Sequence, residues 1–177
     1  FDDNNLTFGA TYQFTENFVQ AFSHDEVVHG KGSLANKMGL SEESDRISNL
    51  RALLCLQWTW PGKKTLFMGC EFGQWNEWNC DAPLDWALLD FTLHTGLKSM
   101  VADLNSLYLS HPSWSKVDHE EGKFRWIDCN DSEKQTISFL KFGQYATDTL
   151  LVACNFSNQT VHRDWGCPHN GEWEVIL

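Results

Sequence analysis

Apolar residues keep two different periods along this chain, a helical one before about residue 115 and a strand one after it. NFVQAF (17–22) is a short apolar run that closes on Ser23-His24-Asp25-Glu26, the form of a buried strand delivering polar residues at its carboxy end. Residues 1–15 are polar and read as loop or short helix, and Gly30, Gly32 and Ser33 mark another loop. Ser41 is placed to cap a helix, with Glu42 and Glu43 in a first turn where acidic side chains complement the helix dipole. Ile47, Leu50, Leu53, Leu54 and Trp58 follow at helical spacing, and Pro61-Gly62 ends that helix. KTLFM (64–68) predicts a second buried strand, again closing on polar positions, Gly69 to Glu71. Leu93, Leu97, Met100, Val101, Leu104, Leu107 and Tyr108 form the stripe of another helix, which His111-Pro112 stops. Between them, residues 72–90 read as a long loop carrying Phe72, Trp75, Trp78 and Trp86. Loops of that length are functional or disordered, and four aromatics argue against disorder.

Beyond residue 115, FRWIDC, TISFLKFG, LLVACNFS and EWEVIL are short β-rich segments separated by turn residues, the pattern of a β-sandwich or barrel. The first half therefore predicts two βα units and the second half a separate all-β domain. The chain starts on Phe1 and stops at Leu177 inside what reads as a strand, so it is expected to be cut at both ends.

Composition narrows the function classes. Of 177 residues 42% are hydrophobic, enough for a substantial core, and 13 Lys plus Arg against 24 Asp plus Glu leave a net charge of −11. Nucleic-acid backbones and anionic membranes repel such a chain, whereas a neutral polysaccharide does not. No apolar run approaches the roughly 18 residues of a membrane span. Six Cys without a C-x-x-C pair are expected as reduced thiols in a cytoplasmic protein. Four N-x-[ST] sequons, at Asn5, Asn130, Asn155 and Asn158, mean little without a secretory signal.

Three places can carry chemistry. In Ser23-His24-Asp25-Glu26-Val27-Val28-His29 the two His stand at i and i+5, about 140° apart on a helix, so they do not share the face that a two-His metal motif needs. The same residues at the end of a strand fit the catalytic rim of a parallel α/β barrel. Surface carboxylates and satisfied histidines are the plain alternative for each. Glu71, closing the next strand, faces the same rim or holds its own loop. The Trp-rich loop offers flat faces for pyranose rings, or its Trp75, Trp78 and Trp86 close the barrel bottom or contact another domain.

The strings AFSHDEVVHGKGSL (21–34), PGKKTLFMGCEFGQWNEWN (61–79) and DAPLDWALL (81–89), with LTFGATYQFTENF (6–18) before them and LKSMVADLNSLY (97–108) after, resemble the late part of glycogen (1,4-α-glucan) branching enzymes, members of the α-amylase superfamily. One departure is Cys70, where that family usually carries Asn. The resemblance implies an α/β fold in which residues 1–114 are the last two βα units of a (β/α)8 TIM barrel, followed by an incomplete all-β sandwich domain over 115–177. It implies a retaining transglycosidase that cleaves α-1,4 glucan and passes the segment to a 6-hydroxyl. Asp25 maps onto the acid that stabilises the transition state, and His24 onto a hydroxyl ligand beside it. Glu26, Glu71, Trp75 and Trp78 map onto substrate contacts. No metal and no cofactor are implied. The expected partners are α-glucan (glycogen, amylose, amylopectin) and the remainder of the same polypeptide.

Only 22 residues precede Ser23, and a βα unit with its next strand takes about 30 or more, so nucleophile and general acid are expected outside the chain. The chain alone is then expected to be inactive and poorly folded. Two other readings stand beside this one: a hydrolytic or debranching relative, and a non-catalytic carbohydrate-binding piece using Trp126, Trp165 and Trp173.

Overall fold

The computed structural model describes residues 13–131 and 133–177; the expectation for residues 1–15 lies mostly outside them. Strand β1 (Val19–Phe22) pairs in parallel with β2 (Lys63–Leu66), in the register Val19 to Lys63 through Phe22 to Leu66. Between them run a short helix α1 (Leu34–Lys37) and the long α2 (Glu43–Thr59). After β2 the chain crosses a long loop to α3 (Thr92–Ser110) and a short α4 (Pro112–Ser115). Three antiparallel strands follow in the order β3 (Phe124–Asp131), β4 (Thr136–Lys141) and β5 (Leu150–Asn155).

Helix α2 forms where Ile47, Leu50, Leu54 and Trp58 line one face, and all four are buried. Leu97, Met100, Val101 and Leu104 of α3 meet that face in one apolar core, where the Trp58 indole donates to Asn105 at 3.0 Å. Gln57, on the buried side of α2, donates to the Gln20 carbonyl of β1 (3.3 Å) and the Thr65 carbonyl of β2 (2.7 Å), so one amide fixes the helix to both strands. The helix ends as Trp60 turns extended ahead of Pro61, which disfavours a helical residue before it.

A second core joins α2 to the three-stranded sheet. Leu56 and Trp60 pack against Ile137, Phe139, Val152 and Cys154. Trp60 meets Trp126 and Phe139 edge-on, with ring centres 5.5 and 5.9 Å apart. Six cysteines are free thiols.

Charge is also buried at this junction. Asp118, 1% exposed, bonds Lys141 of β4 at 2.5 Å and accepts from the Tyr108 hydroxyl of α3 at 2.6 Å. Lys63 and Lys64 stand 3.8 and 4.0 Å away, and the Asp118 carbonyl accepts from the Gly62 amide at 3.0 Å. Burial holds the Lys64 ammonium down to about 7, with Asp118 pulling it back up. Burial lowers Lys141 too, again opposed by Asp118.

Several expectations need correction. The helix cap is Glu42, not Ser41: the Glu42 carbonyl accepts the Arg46 amide at 3.1 Å, so Ser41 lies one residue too early. The two parallel strands are half open instead of buried, because only the face of Gln20, Phe22, Lys64 and Leu66 is covered, while Val19, Ala21, Lys63 and Thr65 look outward. EWEVIL (172–177) is not a strand: it is mostly exposed and without regular structure. Among the described residues the β half is one three-stranded sheet whose inner face rests on α2, and no second sheet makes a sandwich.

Candidate active site

The polar residues that follow β1 form a single tight turn. Ser23 caps the 3-10 helix His24–Glu26: its hydroxyl accepts from the Asp25 amide (3.3 Å), and Glu26 reaches back to accept from the Ser23 amide (2.7 Å) and hydroxyl (3.1 Å). This reciprocal box fixes the backbone under His24 and Asp25. The Glu26 carboxylate is thereby engaged with the turn itself. His24 Nε2 lies 3.3 Å from Asp25 Oδ1, and both side chains stand more than half exposed. An acceptor and a ring nitrogen thus sit side by side, open to a ligand, at the carboxy end of a parallel strand.

The turn after β2 is its neighbour. Gly69 and Gly73, both left-handed, bracket the 3-10 helix Cys70–Phe72, and Gly73 cannot be replaced cheaply: a Cβ there would stand 2.8 Å from Ile47 and 2.9 Å from Leu97 in the core. Glu71 accepts from the Gly69 amide at 2.8 Å. Burial first, then the charges of Glu71 and Glu26, push the Cys70 thiol up to about 12, so both carboxylates surround a thiol that stays protonated and inert. Glu71 also lines an open cavity of about 760 Å³ with Lys63 to Leu66 of β2, with Phe67 and Met68 just after it, and with Lys98, Asn105 and Tyr108 of α3. Neither His24 nor Asp25 lines that cavity.

The aromatic residues divide. His24, Phe67 and Trp78 form a row, with ring centres 6.1 Å and 5.1 Å apart, and Trp78 meets Phe67 edge-on. Trp75 packs edge-on against the buried His94 ring at 5.2 Å, with the Arg46 guanidinium 6.0 Å over its own ring. Trp126 belongs to the core between α2 and the sheet, touching Trp60, Phe124 and Phe139. Trp165 and Trp173 are exposed on the segment after β5.

A residue that the sequence did not single out ties the two loops together. Glu77 accepts the Gly30 amide on Oε1 at 3.0 Å and the Gly32 amide on Oε2 at 2.7 Å. Those two bonds hold its carboxyl below the usual carboxylate range. Beside it the Trp78 amide donates to the Val27 carbonyl (3.0 Å) and Asn36 Nδ2 to the Trp75 carbonyl (2.7 Å). Nothing in the spacing of a lone Glu within a Trp-rich loop points to amides some 45 residues earlier.

Known proteins match this sequence. Residues 126–177 match the alpha amylase C-terminal all-beta domain. The whole chain is 47% identical to a 1,4-alpha-glucan branching enzyme GlgB of Rhodospirillum rubrum, 46% to that of Synechococcus elongatus and 48% to that of Prochlorococcus marinus subsp. pastoris. In each case all of this chain is covered, and it spans about a quarter of the relative's length (24%, 23% and 24%). The chain belongs with the carboxy-terminal part of the 1,4-alpha-glucan branching enzymes, in the α-amylase superfamily.

Proposed function

We propose that the polypeptide carrying this chain builds α-1,6 branches by cutting α-1,4 glucan and moving the cut segment to a 6-hydroxyl, and that this chain supplies one acidic corner of the site. The observation that carries the reading is identity of 45–48% along the whole chain to branching enzymes, with an exposed His-Asp pair closing a parallel strand. Residues 1–114 are then the last two βα units of a (β/α)8 barrel, and 115–177 an all-β domain beside it. The outward face of β1 and β2 favours this division. Parallel strands are normally covered on both faces, and here Val19, Ala21, Lys63 and Thr65 are not. The cavity along β2 and α3 is a matching place for further strands and helices of the same polypeptide.

In this reading the charge on Asp25 acts where the sugar turns positive. Departure of the glycosidic oxygen leaves an oxocarbenium-like ring, and a fixed carboxylate on its hydroxyls binds that state more tightly than the ground state. His24 donates to a neighbouring hydroxyl. Glu26, held by Ser23, keeps the turn and stands at the edge of the sugar site. Glu71, Trp75 and Trp78 flank the same glucan. The nucleophile and the acid that protonates the leaving oxygen come from the rest of the polypeptide. No metal or cofactor enters. Glycogen, amylose and amylopectin are the partners, and six free thiols fit the cytoplasm. No helix among the described residues is long and apolar enough to cross a membrane.

An amylose assay followed by iodine staining tests this. The parent polypeptide should lower the stain and create α-1,6 linkages without releasing new reducing ends, while the 177-residue chain alone should do neither. Release of reducing ends without new branches would make the protein a related hydrolase. Retention on a glucan gel with no turnover by the parent would make it a binding piece.

A further inference from the structure

The loop after the His-Asp turn is bent for a purpose that its own residues do not serve. His29, Gly30 and Gly32 all take positive φ, at 61°, 78° and 72°. For His29 that conformation is uncommon, though histidine is one of the side chains that tolerate it. The amides of Gly30 and Gly32 point to one side, while the Lys31 amide between them donates to the Val28 carbonyl at 3.3 Å. Each oxygen of Glu77 takes one of the two glycine amides, Gly30 at 3.0 Å and Gly32 at 2.7 Å. Between those two clasped residues stands Lys31, and its ammonium reaches back to donate to the Asp25 carbonyl at 2.6 Å. The path from Glu77 to Asp25 is thus continuous: carboxylate, two amides, one lysine, one carbonyl. Lys37 continues the same bracing by donating to the Glu26 carbonyl.

We propose that Glu77 is a positioning residue for Asp25, fixing the loop 29–32 so that Lys31 holds the backbone of the His24-Asp25 turn in the orientation that the sugar-facing carboxylate needs. This rests on the reading of Asp25 given above. A clasp of this kind acts on the transition state more than on binding, because the substrate is held along its length by other contacts whereas the developing charge is met at one point. The Gly30 bond is exposed and the Gly32 bond half-buried, and none of the three residues belongs to either apolar core, so loss of the clasp loosens a loop and leaves the cores intact.

Glu77→Gln in the parent polypeptide is the test. Glutamine keeps the shape but its NH₂ cannot accept, so one of the two amide bonds is lost and the charge with it. The expected result is faster hydrogen exchange across residues 28–33 together with a kcat lower by about ten- to thirtyfold and a KM within about twofold. Glu77→Asp, one methylene short of spanning both amides, should fail to restore kcat. Lys31→Met, at an exposed position, should lower kcat the same way without disturbing the clasp, and it serves as the decisive variant if Glu77→Gln does not fold. Faster exchange with an unchanged kcat would overturn the proposal, since the clasp would then be structural only. So would an unchanged kcat in Lys31→Met. Asp25→Asn measured alongside separates the two levels. If it keeps its rate, the site reading fails; if it is inactive while Glu77→Gln and Lys31→Met are normal, only the clasp fails.

Discussion

Asp25→Asn in the parent polypeptide is expected to cut branching turnover by several orders of magnitude while leaving the fold intact. The argument has two halves. Asparagine has nearly the shape of aspartate but no charge, and half of its polar atoms donate where the carboxylate only accepts. On the proposed reading, what is removed is the electrostatic partner of a positive charge that exists mainly in the transition state, and a loss of that kind falls on kcat. Folding should not suffer, because the Asp25 side chain is 67% exposed and its backbone, not its carboxylate, is what Ser23 and Lys31 hold. Substitutions at such surface positions usually stay within about 0.5 kcal/mol. His24→Ala should cost less, on the order of 2–4 kcal/mol of barrier, as expected for one neutral donor. Rates and unfolding midpoints of the two variants check this, and near-normal turnover in Asp25→Asn would remove that residue from the catalytic set.

The largest effect on stability is expected from Asp118→Ala. Among the described residues Asp118 is the carboxylate that pairs with Lys141, Lys63 and Lys64, and it also accepts from the Tyr108 hydroxyl. Burial has already cost Lys64 much of its hold on a proton, and Asp118 is the main influence restoring it. Without Asp118, Lys64 and Lys141 must either stay charged with no compensating carboxylate or give up their protons in a buried place, and the Tyr108 hydroxyl loses its acceptor. Breaking a buried pair from one side typically costs about 3–5 kcal/mol, because the surviving charge is left in a poor solvent. The site joins α3, the loop before β3 and strand β4, so the loss should loosen the contact between the helical part and the sheet. A denaturant titration of the parent protein should show the midpoint falling accordingly. The double variant Asp118→Ala with Lys141→Met should recover part of the loss, since it removes the stranded charge along with its partner. A midpoint unchanged in Asp118→Ala would mean that the cluster is hydrated and adds little.

Much of the helical part was readable because one face of each helix must be apolar. The spacing of Ile47, Leu50, Leu54 and Trp58 is enough to place α2, and that of Leu97, Met100, Val101 and Leu104 to place α3. Pro61 and Pro112 mark ends for the reason that proline always does. Strands were harder to read. NFVQAF and KTLFM alternate too little to tell a strand covered on both faces from one covered on one, and burial there depends on chain outside the sequence pattern. EWEVIL has the composition of a strand, yet it pairs with neither open edge of the three-stranded sheet, and pairing is a tertiary event that composition does not encode. In the candidate site, His24 and Asp25 could be named because they follow a strand and stand in a long motif. Glu26 was read as a substrate contact, and its capping bonds to Ser23 emerge only from coordinates, although Ser-x-x-Glu is itself a capping signature. Glu77 left no local trace at all. Its two hydrogen bonds depend on amides brought to it by the tertiary fold.

The claim beneath all of this is that the carboxylate ending β1 meets a sugar. A structure of the parent polypeptide with a bound α-1,4-linked glucose oligosaccharide tests it most directly. Sugar hydroxyls should lie about 2.6–3.2 Å from the Asp25 carboxylate and the His24 ring. An oligosaccharide lodged elsewhere in the protein, with His24 and Asp25 still facing only water, would contradict it.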